Sequence, residues 1–414
     1  MTTAVIQEYE LLYALDEAMM QRRYSLYRQL HETQPRIFWS ERLQRWICTR
    51  YAEIKAALRD PRISNEQPSS ALQQLPEEIR NALTLENPLF RQANKIMMSR
   101  DDPDHARLRS LVSKAFTPRV IELLQRPRMQ QLARDLLERM GQQEQPDFIR
   151  DFATPFPIMI IAAMIGIPCE DSGQIKRWSD AGADFVAKGA ENLETLFGIA
   201  VTASEFNEFL HPYIEARRKQ PQDDLLSAFI RAESRGDTLS VDELVANTFL
   251  LLAAGNETTT NLLGNGLWTL LNHRDQLELL REHPEFIDAA VEEILRYESP
   301  SQTTGRSAQT ALEIAGQHIS PDEVVTCVLG AANRDPEQFT DPDCFTIARQ
   351  DNKHIAFGLG PHYCLGAPLA RLEAQIALPL LLERYPAISL ASTHAHWRKN
   401  PTFLGLEHLP VTLV

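Results

Sequence analysis

From Ser240 to His273 the chain runs without a proline through "SVDELVANTFLLLAAGNETTTNLLGNGLWTLLNH". Ser240 and Glu243 form a capping-box signature at its start, where each side chain satisfies an orphan amide of the first turn. At 1.5 Å per residue a helix of this span is roughly 45–50 Å long, enough to cross a whole domain. It is apolar on most sides, and such a helix belongs in the interior. The rest of the chain must wrap around it.

Its centre is unusual. In "AAGNETTT", Ala253 to Thr260, Gly255 costs about 1 kcal/mol relative to alanine inside a helix. Glu257 and Thr258 put an acid and a hydroxyl into an apolar element. Helical threonines often bond back to the i−4 carbonyl and bend the axis. Two readings stand. The small residues form a notch for a neighbouring helix, or the helix widens to admit a ligand beside an acid and an alcohol that relay protons.

The elements around it read as mainly α, with a few small sheets. "RIFWSERLQRWICTR" (36–50) has two aromatic and β-branched runs about a polar turn, which predicts a hairpin. "YAEIKAALRD" predicts a short helix, and residues 65–100 a loop with one short helix. "HARLRSLVSKAF" and the stretches 120–145 and 171–235 carry helical periodicity. "EFIDAAVEEILRYESP" is a helix stopped near Pro300. "ALEIAGQHI" and "EVVTCVLG" predict strands about a turn, and "PTFLGLEHLPVTLV" a closing hairpin. No repeat, low-complexity tract or linker divides the chain, so one domain spanning 1–414 is expected.

Four small constellations could carry chemistry. Cys364 sits between the glycine-rich "FGLGP" and a long apolar helix with Pro368 in its first turn, where proline is tolerated. A thiol there feels the positive end of the helix dipole, which favours thiolate. A packed thiol or the ligand of a larger cofactor both remain open. "GLGPHY" lacks the last glycine of a dinucleotide fingerprint, and His362 is too near in sequence to face Cys364 as a base. Glu293 and Arg296 stand i, i+3 and can pair, most often at a surface. His105 and Arg109 stand i, i+4: a solvated basic face, or two cations for an anionic group.

Charge and cysteine usage narrow the class further. The formal net charge of −14 disfavours nucleic acid and anionic membranes, which require a positive field. The first thirty or so residues contain no run long enough to span a bilayer and no secretory pattern. The five cysteines (Cys48, Cys169, Cys327, Cys344, Cys364) are scattered and odd in number, which points to a reducing cytoplasm without a disulfide framework. No C-x-x-C supports a zinc site. Neither H-E-x-x-H nor G-x-S-x-G is present to suggest a zinc protein or a hydrolase.

Taken together, the constellations resemble the cytochrome P450 family in its soluble bacterial form. "FGLGPHYCLG" (357–366) matches F-G-x-G-x-H-x-C-x-G at every specified position. "AGNET" (254–258) matches A-G-x-[DE]-T, and "EILR" (293–296) matches E-x-x-R. "NRDPEQFTDPDCF" (333–345) resembles the meander before the ligand loop, and "HARLR" (105–109) the H-x-x-x-R that holds haem propionates. The resemblance runs from about residue 30 to 410. One departure is Asp102 in "DDPDH", where the family often has proline.

The resemblance implies the helix-rich cytochrome P450 fold with small peripheral β-sheets, and haem b (iron protoporphyrin IX) with Cys364 as the axial iron ligand. Phe357 would shield the sulfur, while Gly358 and Gly366 let backbone approach the porphyrin. His105, Arg109, Arg306 and His362 would hold the propionates. Glu293, Arg296 and Arg349 would form a buried network. Gly255 and Thr258 would open the long helix at the oxygen site, with Thr258 also as hydrogen-bond donor, Glu257 as proton relay and Ala254 among the cofactor-binding residues. The other cysteines would be inert.

The implied function is a monooxygenase that uses O2 to hydroxylate or epoxidise a lipophilic terpenoid, steroid-like or polyketide compound. Electrons would come from a separate ferredoxin- or flavodoxin-type partner, docked near Arg107, Lys114 and Arg119, to a monomer without a membrane anchor. The substrate pocket would draw on 65–98, Phe185 and Val186, 299–304 and Phe403. Ile96, Met97 and Met98 would give it an adaptable wall, and Gln302, Thr303 and Thr304 some polarity. The alternative is a haem-thiolate protein of the same fold that isomerises, dehydrates or uses peroxide; the Glu257–Thr258 pair favours oxygenation.

Overall fold

The long helix spans Val241–Asn272 and its hydrogen bonding is unbroken through the glycine-rich centre. Its predicted cap is formed. The Ser240 amide donates to Glu243 Oε2 at 2.7 Å, and the Glu243 amide to Ser240 Oγ at 3.2 Å. The computed structural model describes residues 2–13, 17–33, 35–66, 95–113, 126–168, 172–188, 193–233 and 239–413. Two compact units emerge. One comprises Met1–Ile63, Leu124–Phe156 and Thr258–Val414; the other comprises Ser64–Leu123 and Pro157–Glu257.

The first unit contains a five-stranded sheet in the order β1-β2-β7-β4-β3. Its strands are β1 (Ile37–Ser40), β2 (Arg45–Cys48), β3 (Ile63–Ser64), β4 (Thr303–Ala308) and β7 (Val324–Val328). β1 and β2 make the expected hairpin, with Ile37 opposite Cys48. β7 lies parallel to β2 and antiparallel to β4. It is therefore not paired with "ALEIAGQHI" as expected. That segment closes on itself, β5 (Leu312–Ile314) against β6 (Gln317–Ile319), because Ala315 and Gly316 take positive φ and turn the chain back. Below the sheet Ile37, Ile54, Val325, Leu329, Phe339 and Ile355 share one core cluster.

The C-terminal segment also departs from expectation. β10 (Leu406–His408) pairs with β9 (His396–Trp397), and β11 (Val411–Thr412) with β8 (Ser389–Leu390). The two runs thus pair upstream rather than with each other. The cause is Asp147, whose carboxylate accepts from the Ile149 and Leu409 amides, while the Phe148 amide donates to Leu409 O. These bonds pin the linker between the runs.

Helices at Thr2–Tyr13, Glu17–Thr33, Pro155–Ile165 and Arg274–Glu282 were not anticipated. Pro155–Ile165 is apolar all round and carries no 3.6-residue period to read. The periodic stretch 171–235 separates into Ser172–Lys188, Leu193–Lys219 and Leu225–Glu233. In the second unit Ser172–Lys188 packs on the long helix. Ser179 Oγ donates to Ala253 O at 3.2 Å and accepts from Asn256 Nδ2 at 3.0 Å. A Cβ on Gly182 would lie 2.9 Å from the Ala253 methyl, so glycine sets how closely the helices approach. The small-residue stretch is thus a packing notch.

Glu293 and Arg296, on the helix Ile287–Tyr297, are fully buried rather than at the surface. Arg296 donates to both Glu293 oxygens at 2.8 Å and to the carbonyls of Asn333, Pro342 and Cys344. Arg349 Nε reaches Glu293 at 3.1 Å, and the Thr346 amide and Asn352 Nδ2 also donate to it. The expected three-residue network is present. Replacing Glu293 with glutamine leaves the fully buried Arg296 guanidinium, and the half-buried Arg349 beside it, without their anion. We expect a loss of about 3–5 kcal/mol in urea unfolding; a loss below 1 kcal/mol would remove the network's structural role.

Candidate functional site

The loop that carries Cys364 is built by backbone bonds around two glycines of positive φ. The Gly358 amide donates to Ile355 O at 2.9 Å, the Tyr363 amide to Gly360 O at 3.1 Å, and the Cys364 amide to Phe357 O at 3.0 Å. Gly358 and Gly360 have φ of +70° and +76°, a region that costs residues with a Cβ about 1–2 kcal/mol. At Gly360 a Cβ would stand 2.3 Å from the Leu58 carbonyl oxygen. The loop therefore lies flat against the end of the short helix Tyr51–Ala57.

The loop ends at Gly366, the N-cap of the helix Ala367–Arg384, with Pro368 in its first turn as predicted. Cys364 is exposed, not packed. Around Gly358 no atom lies within 4 Å of a Cβ position, and a Cβ on Gly366 would sit 4.0 Å from the Cys364 sulfur. An exposed cysteine with Gly366 beside its sulfur and open space at Gly358 suits a planar group laid across the loop. Among the described residues no cluster of His, Cys, Asp or Glu could hold a metal ion by itself.

The buried cysteines contrast with it. Cys48 and Cys327 face each other across β2 and β7, both fully buried. Burial pushes both thiols up, Cys327 to about 11. They are inert neutral thiols, as expected. Cys344 is exposed, and Cys169 lies outside the described residues.

Phe357, half-buried, stacks edge-on to Tyr363 with centroids 6.3 Å apart. His362 is half-buried in the turn Gly360–His362. Arg306 lies on β4 and donates to Thr304 Oγ1 at 2.6 Å and to Gly305 O. Thr258, half-buried, belongs to this same unit.

The second unit carries His105, Arg109, Ala254, Gly255 and Glu257. His105 and Arg109 lie on the helix Asp104–Ser113. They do not form a solvated face: His105 is 3% exposed with Nδ1 3.2 Å from Asp102 Oδ1, and Arg109 is half-buried. Along the long helix Ala254 is exposed and Gly255 and Thr258 are half-buried, while Asn256 and Glu257 are buried. Ala254 and Thr258, i and i+4, share that accessible face. The helix is not widened at Gly255, where a Cβ would make only ordinary contact with Ile161. Thr248 bonds back to Leu244 O at 2.7 Å, as helical threonines often do.

Three expectations need correction. Gln302 is fully buried and committed to the core: Tyr27 Oη donates to it at 3.0 Å, and its Nε2 donates to Ser299 O. The Thr304 hydroxyl takes Arg306, so neither lends polarity to a pocket. Arg107 is tied to Glu243 by an ion pair, which offsets the free charge it was expected to present to a partner; Lys114 and Arg119 lie outside the described residues. Met97 is buried, its amide held by Asn247 Oδ1 at 2.9 Å, and only Met98 is exposed. The side chains of Phe185 and Val186, and residues 67–94, are likewise outside the description.

Sequence reasoning missed Glu292, His354 and Arg371. Arg371 donates to Glu292 from Nε at 2.6 Å and from Nη2 at 2.8 Å, and His354 Nε2 lies 3.0 Å from the same carboxylate. Burial pushes the Glu292 carboxyl up, but Arg371 and then His354 outweigh it and hold it at about 2. The available signal was the doubled acid in "VEEILR": adjacent helical residues point about 100° apart, so Glu292 and Glu293 serve different partners.

Residues 68–406 match the family model described as Cytochrome P450. Cytochrome P450 107B1 of Saccharopolyspora erythraea is 41% identical over 99% of both chains. The polyketide biosynthesis cytochrome P450 PksS of Bacillus subtilis is 42% identical over 89% of both. Among solved structures, P450BioI in complex with an acyl carrier protein ligated by hexadec-9Z-enoic acid superposes with a TM-score of 0.87 at 38% identity. That match covers 96% of this chain and all of the other.

The loop geometry ranks two substitutions. Gly358→Ala carries only the backbone penalty of about 1–2 kcal/mol. Gly360→Ala adds a clash with the Leu58 carbonyl and is expected to destabilise more. Thermal melts of both variants check the order; an equal or reversed ranking contradicts the close packing at Leu58.

Proposed function

Because this chain belongs to the cytochrome P450 family and is a monooxygenase of that family, we propose that Cys364 binds the iron of haem b and that the substrate is a lipophilic, polyketide-type small molecule. The observation that carries the reading is the Cys364 sulfur: exposed, at the start of a helix, on a loop whose glycines leave room for a flat group. The two buried thiols lack every one of these features. The relative named for polyketide biosynthesis supports the substrate class.

When bound, the haem supplies the two-electron activation of O2, placing one oxygen atom in the substrate and releasing the other as water. The chain's own groups do the rest. The helix start would favour the thiolate of Cys364, the form that binds iron and donates electron density to it. Phe357 covers one side of the sulfur. Arg109 and Arg306 supply positive charge, and His105 and His362 ring N–H donors, for the two propionates. On the long helix the Thr258 hydroxyl donates a hydrogen bond at the oxygen site, and the Glu257 carboxyl beside it passes protons inward. The accessible Ala254–Thr258 face and the buried acid support that division of labour.

The chain works as one domain. The two compact units alternate along the sequence, and the long helix is continuous from one to the other. Electrons come from a separate ferredoxin- or flavodoxin-type protein of the cytoplasm. No helix among the described residues is long and apolar enough to cross a membrane.

Reduced, carbon-monoxide-treated protein is expected to show the thiolate-type Soret band, and Cys364→Ser to lose it together with turnover. A wild-type protein without that band, or an active serine variant, would falsify the ligand assignment. Thr258→Ala is expected to consume reductant while forming less than a tenth of the product per electron pair. Product-to-NAD(P)H ratios with surrogate redox partners measure this; unchanged coupling removes the proton relay. Spectral titration with macrolactones, steroids and terpenoids tests the substrate class, which fails if macrolactones give no shift while another class does.

A further inference from the structure

Arg371 stands one helical turn into Ala367–Arg384 and turns back toward the loop. Its guanidinium lies 4.6 Å from the centroid of the Phe357 ring, and its Nη1 donates to Tyr363 Oη at 3.2 Å. Those two residues bracket the sulfur loop. The Phe357 carbonyl accepts the Cys364 amide, and Tyr363 is the residue joined to Cys364. One planar cation therefore touches both sides of the loop closure.

The cation is itself held. Both Glu292 oxygens accept from it in a bidentate fork, the geometry that adds orientation to charge. Glu292 is held in turn by His354, whose Nδ1 accepts the Ala356 amide at 3.2 Å. That acceptor role places the ring proton on Nε2, which donates to Glu292 at 3.0 Å. The chain of contacts runs from helix Ile287–Tyr297 to the loop's first residues, then through Arg371 to its last. All of its members belong to the first unit.

We propose that Arg371, oriented by Glu292 and His354, is a positioning residue that fixes Phe357 and Tyr363 and thereby sets where the Cys364 sulfur stands. The proposal rests on Cys364 as the iron ligand. Arg371 touches neither sulfur nor substrate in this reading; it acts by denying the loop other conformations. A lysine cannot reproduce the fork or stack as a plane on the ring, so the two charges are not equivalent here.

The test compares wild-type holoenzyme with Arg371→Ala, Arg371→Lys, Glu292→Gln and Tyr363→Phe. Two readouts are taken: the thiolate-type share of the reduced carbon-monoxide spectrum, and amide hydrogen exchange at Ala356, Gly358, Tyr363 and Cys364. Arg371→Ala is expected to speed exchange at these amides at least tenfold and to raise the thiol-type share several-fold. Arg371→Lys should fall between it and wild type. Should Arg371→Ala not fold, Tyr363→Phe and Glu292→Gln carry the test, since each removes one arm and leaves the cation. Wild-type exchange rates and spectra in the folded variants overturn the proposal. So does a change confined to the salt dependence of reduction, which would mark Arg371 as a docking cation instead. Faster exchange in variants of a protein whose wild type shows no thiolate-type band leaves the clamp standing and fails the ligand assignment alone.

Discussion

A carboxylate removed from solvent holds the irregular part of this molecule in place. From Asn333 to Leu359 the chain has no regular ladder in which to pair its backbone groups, and buried unpaired groups are costly. Glu293 resolves this by gathering Arg296, Arg349, Asn352 and the Thr346 amide around one charge. The arginines then spend their remaining donors on carbonyls of the same stretch: Asn333, Thr340, Asp341, Pro342 and Cys344. One buried ion cluster thus substitutes for a missing sheet.

The order it imposes is passed on. Asn333 Oδ1 accepts the Ile355 amide, so this irregular stretch delivers the Cys364 loop at a defined point. From there positive-φ glycines, the Leu58 carbonyl and the Phe357–Cys364 bond shape the loop. The neighbouring acid, Glu292, continues the work with Arg371 and His354. Two adjacent glutamates on one helix therefore organise two successive segments, because their side chains leave the helix in different directions.

The long helix shows how one stretch can serve two ends. Some of its positions bind neighbours: buried Asn256 to Ser179, buried Thr260 to Ala153 O, and half-buried Ala253 against Gly182. Its accessible positions, Ala254 and Thr258, fall on one face between them. The small residues serve the packing of Ser172–Lys188, while Ala254 and Thr258 lie toward another side of the helix. A helix has several faces, and a one-dimensional motif does not say which residues share one until the neighbours are in place.

Local signals were readable wherever the physics is local. The capping box, the β1–β2 hairpin, the stop near Pro300, the glycine-bearing loop and the proline after it all depend on residues a few positions apart, and the motif that marks the family could be read with them. What the sequence could not reveal were pairings between distant segments: β7 beside β2 and β4, the C-terminal strands with upstream partners, Gln302 drawn into the core by Tyr27, Arg371 reaching back to Phe357. Each of these was decided when packing brought together groups far apart in the chain and left no other way to satisfy their charges and hydrogen bonds.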